Sequence, residues 1–481
     1  MKLKIFGKNT TIYAISNIGL RSVSFLLIPL YTHSLSISDY GVLATLLVSI
    51  QLMSILMSFG MRDTIIRFAK EYALRDKIGS LLGTAILINI VGGILVVLIS
   101  VLFFTPFFYV ILHSNDIGIY IGLSCCVALI QSIYSLNISY YIARNESIKF
   151  MFFSILSALL LILFNLIFIQ ILNLGIKGVL TAQIVSYSII FLLIAFNVFP
   201  KVGINISFSL IPKLLRFGSP LTFSMISWFV MESSTLYFLS YFSGSEHVAI
   251  YSLGYKFASI IGMIVILPFQ LAFPSFVYAN IKDPEIRKTI SRILTYLVIA
   301  SSLGVFLILF TSHLLLPLVA PPEYSGSFLV LLLLIPGFVF TGLQYFGQTL
   351  LHINNKTYIT GSVAMLFAVI NLILNYILVP KFGIKGSIMS TSLTFILTGI
   401  TIFILGLNEY SIPLEKKRLL ISSGILIFFL SIFFIVQNSN PILFWSVTLL
   451  SAFFIIVFLF KGRFFYAEEM HAIKNLIIKL R

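Results

Sequence analysis

Three ionisable side chains lie within long apolar stretches of this sequence, and they are its first candidates for chemistry. Arg21, Glu232 and Lys256 each fall inside a segment long enough to cross a lipid bilayer. An ionisable group at membrane depth costs about 3 kcal/mol or more, so such groups usually face a protein interior or a wet cavity and mark function. The three have a net charge of +1, which suits a phosphate or pyrophosphate. The planar guanidinium of Arg21 can bind phosphate oxygens bidentately.

A structural interpretation of the same three residues stays open. Arg21 and Glu232 could form an ion pair between helices, while Lys256 extends its ammonium towards the membrane surface. An internal repeat, given below, aligns Arg21 with Trp228, one helical turn from Glu232. Glu232 is therefore either a member of a gating ion pair or a site of ion coupling.

Four further charged residues are weaker candidates. Asp39 lies at the outer end of the second apolar segment, where a carboxylate either complements the helix dipole or contributes to a cavity. Arg62, Asp63 and Arg67 lie in the first long loop on the predicted cytoplasmic side, where they could receive a lipid head group. Membrane orientation alone also accounts for their charge.

Several classes of chemistry have no signature in the sequence. There is no acid–base or nucleophile cluster, no phosphate-binding Gly-rich loop and no Cys and His spacing typical of a metal site. The adjacent cysteines Cys125 and Cys126 lie in an apolar segment and are predicted to be reduced. The sequence therefore predicts a protein that is not an enzyme and that uses no catalytic residues, no cofactor and no metal.

The elements that position these residues are predicted to be transmembrane helices. Hydrophobic residues make up 59% of the chain and charged residues 10%, against about 25% charged in soluble domains. We predict an all-α integral membrane protein with about 14 transmembrane helices. The predicted spans are 11–32, 41–60, 80–104, 117–136, 151–172, 179–199, 217–241, 249–272, 293–316, 327–350, 357–379, 386–407, 419–436 and 441–460.

Basic residues predict the orientation of these helices. With the N-terminus inside, 26 of the 31 Lys and Arg residues fall on the cytoplasmic side and three in outer loops. Both termini are then cytoplasmic. This orientation, together with contact with anionic membrane lipids, accounts for the net charge of +16, so nucleic acid is not an expected partner.

An internal repeat predicts the domain organisation. Leu-Ser-Ile-Ser-Asp at 35–39 resembles Phe-Ser-Gly-Ser-Glu at 242–246, and Gly-Ile-Lys-Gly at 175–178 recurs at 383–386, offsets of 207 and 208 residues. Because the offset spans six helices, the two copies have the same orientation in the membrane, as in transporters built from parallel repeats. The predicted domains are a six-helix lobe at 1–205, a second six-helix lobe at 206–410, and helices 13 and 14 with a tail at 411–481.

Several short motifs resemble those of polysaccharide repeat-unit (Wzx-type) flippases of the multidrug, oligosaccharidyl-lipid and polysaccharide exporter superfamily. The similarity spans nearly the whole chain. The motifs are Pro-Leu-Tyr at 29–31 with Asp-Tyr-Gly at 39–41, Phe-Gly-Met-Arg-Asp at 59–63 with Ile-Arg-Phe at 66–68, Ile-Tyr-Ser-Leu-Gly-Tyr-Lys at 250–256, Asn-Leu-Ile-Leu-Asn at 371–375, and Pro-Lys-Phe-Gly-Ile-Lys-Gly at 380–386.

The resemblance implies a substrate and a mechanism. It implies two six-helix lobes that work by alternating access and carry an undecaprenyl-pyrophosphate oligosaccharide, such as an O-antigen or capsule repeat unit, to the outer leaflet. It also implies that Arg21 and Asp39 match functional positions of the related lipid II flippases, while Lys256 stands where those proteins have an arginine. The expected location is the bacterial inner membrane, and polysaccharide polymerases and glycosyltransferases of the same pathway are expected partners. The alternative is an ion-coupled multidrug exporter of the same fold.

Overall fold

The structure, a computed structural model, is built from helices throughout the part of the chain that it describes. That part comprises residues 19, 23–73, 77–112, 116–436, 439–461, 464 and 466. Thirteen of its helical segments are long and apolar enough to cross a membrane. They match predicted spans 2 to 14. Half of the predicted first span lies outside the described residues, and the shorter helix Val23–Ser34 contains most of its described part. The prediction of an all-α membrane protein is confirmed.

Seventeen α-helices follow one another in the described chain. They are α1 Ile28–Ser34, α2 Ile37–Ser58, α3 Met61–Ala73, α4 Ile78–Ile99, α5 Thr105–Leu112, α6 Ile117–Ala143, α7 Ser147–Asn165, α8 Gly175–Val202, α9 Ile211–Ser243, α10 Ser245–Ala258, α11 Leu267–Asn280, α12 Ile286–Val319, α13 Ser327–Ile353, α14 Thr357–Phe382, α15 Ile384–Glu409, α16 Lys416–Val436 and α17 Pro441–Lys461.

Short irregular turns interrupt some of the spans. Three π-helical segments, at Ser100–Phe104, Leu166–Ile171 and Gly262–Ile266, continue neighbouring α-helices. Such segments shift the direction of the side chains that follow them. The 3₁₀ turn Pro322–Tyr324 leads into α13.

The chain groups into two compact units. The first unit contains residues 1–256, 315–337 and 356–398. In it α6 packs closely against α2 and α8, and α9 packs against α14. One of its buried clusters is centred on α3, α4, α6 and α8, with Leu81 and Ile190 fully buried.

The second unit contains residues 257–314, 338–355 and 399–481. Its core is a stack of phenylalanine rings: Phe346 lies 4.9 Å from Phe273 and 5.9 Å from Phe403 between ring centroids. A second cluster in this unit packs α16 against α17 around Phe429. The lobe and tail boundaries expected from the repeat stay a prediction.

Large apolar side chains are also exposed along the spanning helices. Phe196 is 77% exposed and Phe103 is 69% exposed. In water such a surface would favour aggregation, whereas hydrocarbon solvates it. The exposed face is therefore the one expected to contact lipid.

The two copies of the Gly-Ile-Lys-Gly motif share two features. Their first glycines, Gly175 and Gly383, have positive φ angles of 55° and 54°, which favour glycine. At their second glycines, Gly178 and Gly386, a Cβ atom would collide with the backbone of the preceding helical segment, at Phe168 and Leu378 respectively. The motif is thus a helix-to-helix corner used twice.

Candidate functional site

Lys256 lies in the last turn of α10, inside a spanning segment, and is half-buried. Its ammonium donates a hydrogen bond of 3.0 Å to the Tyr40 hydroxyl. It also lies 5.3 Å from the centroid of the Tyr40 ring, within the range of a cation–π interaction. Lys256 is therefore a positive charge held against α2 within a candidate membrane-spanning segment.

Tyr40 connects this lysine to a third element. Its side chain is 1% exposed, and its ring packs edge-to-face on Tyr324 with centroids 5.8 Å apart. Tyr324 ends the 3₁₀ turn before α13. Lys256, Tyr40 and Tyr324 form a cluster that we call the outer cluster, because Tyr40 and Tyr324 lie at the predicted outer ends of α2 and α13, while Lys256 reaches Tyr40 from the last turn of α10, deeper in its predicted span.

Asp39 precedes Tyr40 in the first turn of α2 and has a local role. The Ser36 hydroxyl accepts a hydrogen bond of 3.1 Å from the Asp39 backbone N–H and donates one of 2.7 Å to its carboxylate. This is an N-terminal cap, in which the carboxylate complements the positive end of the helix dipole. Of the two predicted roles of Asp39, the observed contacts show helix capping. The exposed Asp39 side chain adjoins the outer cluster, and its cavity role stays a prediction.

Glu232 lies near the middle of the 33-residue helix α9. Its side chain is exposed, although neighbouring Met231 and Thr235 are fully buried. Five residues further on, Tyr237 of the same helix hydrogen-bonds Ser49 of α2 at 2.9 Å between hydroxyl oxygens.

Arg21, the remaining predicted cavity residue, lies outside the described residues.

Arg62, Asp63 and Arg67 were expected in a loop, and that expectation is wrong: they lie on helix α3. Residues of this segment alternate between a buried face, with Met61 and Ile65 fully buried, and a charged face on which Arg62 and Arg67 are exposed. The apolar face packs into the buried cluster of the first compact unit, so the charged face is the one left for solvent or lipid head groups. The sequence analysis missed this helix because its charged residues favoured a loop, although the apolar residues Met61, Ile65 and Ala69 recur every four positions.

Small residues of α1 and α2 contact the predicted second repeat. A Cβ atom at Gly41 would collide with the backbone of Ser245 at the start of α10. In α1, the Thr32 hydroxyl donates to the backbone oxygen of Val319. These contacts lie within the first compact unit and pack the predicted outer ends of both repeats closely together.

Comparisons with known proteins agree with this architecture. The sequence profile of the family described as "Polysaccharide biosynthesis protein" matches residues 6–280, more than half of the chain. The chain belongs to this polysaccharide biosynthesis family. A candidate O-antigen transporter of Shigella flexneri is 27% identical over 197 residues, which cover 40% of this chain and 47% of that protein.

Two solved structures have the same fold as this family member. The lipid II flippase MurJ in an inward closed conformation has a TM-score of 0.75 at 15% identity, with 95% of this chain and 98% of that chain covered. An inward-facing multidrug resistance transporter of the MATE family has a TM-score of 0.66 at 15% identity, covering 84% and 96%. The resemblance to the flippases and exporters of this superfamily is confirmed, and the family member is a multi-pass membrane protein.

A buried polar seam in this polysaccharide biosynthesis protein connects α9, α10, α14 and α15. The Asn371 side chain accepts from Ser234 at 2.8 Å and donates to Thr394 at 3.0 Å. Thr391 bonds both Thr235, at 3.0 Å, and Tyr251, at 2.8 Å. Each of these bonds joins two helices, so Asn371 has the helix-bridging role that polar side chains take in membranes.

Some residues of interest had no clear sequence signal. Tyr40 and Tyr324 are ordinary aromatic residues in apolar segments, and only the Asp-Tyr-Gly motif at 39–41 drew attention to the first. Within the described ranges, no three His, Cys, Asp or Glu side chains group as metal ligands would. The arrangement offers a half-buried cation beside a close contact between helices.

Proposed function

We propose that this protein carries an undecaprenyl-pyrophosphate-linked oligosaccharide repeat unit from the cytoplasmic to the outer leaflet of the bacterial inner membrane. Membership of the polysaccharide biosynthesis family and a flippase-like fold support this proposal. The observation that carries it is Lys256: a cation at membrane depth, bonded across to α2. A diphosphate needs such a charge, because its own desolvation is costly.

The proposed mechanism is alternating access. The diphosphate and sugars enter a cationic cavity that includes Arg21 and Lys256, while the lipid tail stays in the bilayer. The outer cluster and the Gly41–Ser245 contact then separate so that the cavity opens outward. Asp39 and Glu232 act at this step as a gate or as coupling carboxylates, and Arg62, Asp63 and Arg67 on the surface helix α3 receive the head group at entry.

The partners in this proposal are the enzymes before and after translocation. Glycosyltransferases supply the lipid-linked repeat unit at the cytoplasmic leaflet, and a polysaccharide polymerase consumes it at the outer leaflet. The protein performs no bond chemistry and requires no cofactor. Both termini lie in the cytoplasm, as the distribution of basic residues predicts.

A test in cells follows from the cationic cavity. In a strain that depends on this gene for its surface polysaccharide, Arg21→Ala is expected to abolish surface polymer while the protein remains in the membrane at its normal level. Arg21→Lys, which keeps the charge, is the matched control and is expected to retain part of the activity. Normal surface polymer with Arg21→Ala would exclude the proposed role of this residue.

The second candidate function is an ion-coupled multidrug exporter, and the MATE-like fold favours it. Exporters of organic cations need acidic groups in the cavity, whereas the intramembrane candidates here comprise two cations and one carboxylate. That charge balance favours an anionic substrate. Efflux of an organic cation that depends on Glu232, but not on Arg21, would support the exporter instead.

A further inference from the structure

A polar pocket of about 380 Å³ opens at the predicted cytoplasmic ends of four helices of the first repeat. It is separate from the outer cluster and lies wholly within the first compact unit. Helices α4, α6, α7 and α8 contribute to its wall. The charged and polar residues that line it include Arg144, Glu146, Lys149, Asn197, Lys201 and Tyr141.

The charges around this pocket are predominantly positive. Three cations, Arg144, Lys149 and Lys201, face one carboxylate, Glu146, which gives a net charge of +2. Glu146 lies 2.6 Å from the Lys149 ammonium and 3.7 Å from Nε of Arg144. Lys201 donates to the neutral Asn197 amide oxygen at 2.8 Å. One carboxylate therefore serves two cations, and the pocket keeps an excess of positive charge.

A tyrosine in the wall supplies a second, independent observation. Tyr141 is 1% exposed and stacks on Phe153 with ring centroids 5.4 Å apart. Its hydroxyl is buried and has no hydrogen-bond partner among the described residues. An unsatisfied buried hydroxyl is costly. Tyr141 lines the pocket while its hydroxyl is covered, so a ligand oxygen becomes its acceptor once the wall side chains move aside.

The backbone holds these groups in place through a tight turn. Asn145, with φ of 58°, ends α6 in a left-handed conformation, and the Glu146 N–H bonds back to the Tyr141 carbonyl at 2.9 Å. The turn thereby places Arg144 and Glu146 beside the start of α7. Lys149 follows within the first turn of that helix, whose positive dipole end adds to the field.

The second repeat has a matching turn with a different arrangement of charges. Asn355 has φ of 57°, matching Asn145. Counted from these two asparagines, Asn354 replaces Arg144, Lys356 replaces Glu146 and Ile359 replaces Lys149. Two basic residues around one carboxylate are therefore particular to the first repeat and are not a requirement of the turn.

We propose that this pocket binds the phosphate of an anionic membrane lipid at the cytoplasmic surface. Basic pockets between helices on this side of a membrane are suited to anionic head groups. The phosphate belongs either to a phospholipid head group or to a lipid-linked diphosphate on its way to the transport cavity. Binding is measurable whether or not the protein transports, so this proposal stands apart from the proposed function.

The test is native mass spectrometry of the purified full-length protein in mild detergent, titrated with phosphatidylglycerol, phosphatidylcholine or undecaprenyl pyrophosphate. Phosphatidylglycerol is expected to bind, and the zwitterionic phosphatidylcholine to bind much more weakly. The combined variant Arg144→Gln, Lys149→Gln, Lys201→Gln is expected to weaken phosphatidylglycerol binding on the order of 100-fold, about fivefold per basic residue. Tyr141→Phe, which removes the hydroxyl but keeps the ring, is expected to weaken it several-fold.

The matched control removes the same number of charges from exposed lysines on the predicted cytoplasmic side, with Lys70→Gln, Lys282→Gln and Lys288→Gln. This control is expected to bind phosphatidylglycerol as the wild type does. Equal weakening by both triple variants, or none by the pocket variant, would overturn the proposal. So would phosphatidylcholine binding as tight as that of phosphatidylglycerol.

Competition identifies the source of the phosphate. Undecaprenyl pyrophosphate that displaces phosphatidylglycerol from wild-type protein, and that binds the pocket variant weakly, would assign the pocket to the lipid-linked diphosphate. Phosphatidylglycerol binding that undecaprenyl pyrophosphate does not displace would assign it to a phospholipid head group. Both outcomes support a lipid phosphate site.

Discussion

The Lys256 ammonium stays at membrane depth because the protein solvates it. The Tyr40 hydroxyl accepts its hydrogen bond at 3.0 Å, and the ring beneath adds a cation–π interaction of about 0.5–2 kcal/mol. Burial of the tyrosine fixes the position of the cation relative to α2. In the proposed mechanism, the same cation binds the anionic substrate once the outer cluster separates.

Charge, rather than shape, is expected to decide what Lys256 contributes to transport. Lys256→Gln removes the cation and should lower the translocation rate of a lipid diphosphate at least tenfold, on the order of the 1.5–3 kcal/mol of a charged hydrogen bond. Lys256→Arg keeps the cation and should retain most of the rate. The measurement is translocation in reconstituted vesicles with equal amounts of inserted protein. A wild-type rate with Lys256→Gln would rule out the role.

A second charged cluster in the described chain is structural. In the second compact unit, the Arg418 guanidinium bonds the Glu415 carboxylate at 3.0 Å, and their side chains are only 9% and 14% exposed. Glu415 also accepts from Thr295 at 2.8 Å and from Tyr466 at 3.0 Å. The Arg418 guanidinium lies 4.9 Å from the centroid of Phe464. This network ties α12, α16 and the segment after α17 together.

Loss of this network should destabilise the protein markedly. Glu415→Ala leaves a buried guanidinium without its carboxylate, a change that typically costs about 3–5 kcal/mol. Glu285→Ala is the control, because Glu285 and Lys288 form a pair that is 65% and 67% exposed, which is worth about 1 kcal/mol or less. Thermal unfolding of the two purified variants in detergent compares them. Equal melting temperatures would contradict a stabilising role for the network.

At the scale of elements, α2 makes the contact that opens in the proposed mechanism. It packs against α6, α4 and α9, and its first turn meets α10 where Gly41 lies on the backbone of Ser245. Glycine is required there because any Cβ would collide with that backbone. The length and apolar character of α2 make it a candidate membrane span. Gly41 lets the start of this helix pack directly on the backbone of α10.

A side chain at Gly41 should force the outer cluster apart. The reporter is a single cysteine, introduced as Tyr324→Cys in protein whose native Cys125 and Cys126 are replaced by serine. A membrane-impermeant maleimide should label this cysteine several-fold faster when Gly41→Val is added. Gly122→Val is the matched control, because a Cβ at Gly122 meets nothing within 4 Å. Labelling that is equally slow with both substitutions would show that the Gly41 contact does not hold the cluster closed.

Most of the helices could be predicted from the sequence because a bilayer fixes their length and polarity. The predicted spans 117–136 and 357–379 lie within the observed helices Ile117–Ala143 and Thr357–Phe382. Helix α3 was missed because its charges favoured a loop, although its apolar residues recur every four positions. The contact between Lys256 and Tyr40, 216 residues apart, depends on the tertiary fold and has no local signal.

At the scale of the whole molecule, the two repeats share corners but place their charges differently. The Gly-Ile-Lys-Gly corners have matching φ angles at their first glycines, whereas Arg144 and Glu146 of the first repeat are replaced by Asn354 and Lys356 in the second. The pocket at that turn was not predicted, since its residues come from three separate stretches of the chain. The signal that could have indicated it is the presence of basic residues in two predicted cytoplasmic segments of one repeat, Arg144 and Lys149 in the first and Lys201 in the second. A duplicated scaffold with one basic face is suited to a substrate that enters from one side.

The most direct test of the central claim is translocation of labelled undecaprenyl-pyrophosphate oligosaccharide in vesicles that contain only the purified protein. Wild-type protein is predicted to accelerate translocation well above protein-free vesicles, and Arg21→Ala is predicted to reduce the rate to that of the protein-free control. Vesicles in which wild-type protein moves none of the tested lipid-linked oligosaccharides, yet exports an organic cation, would contradict the account and favour the multidrug exporter.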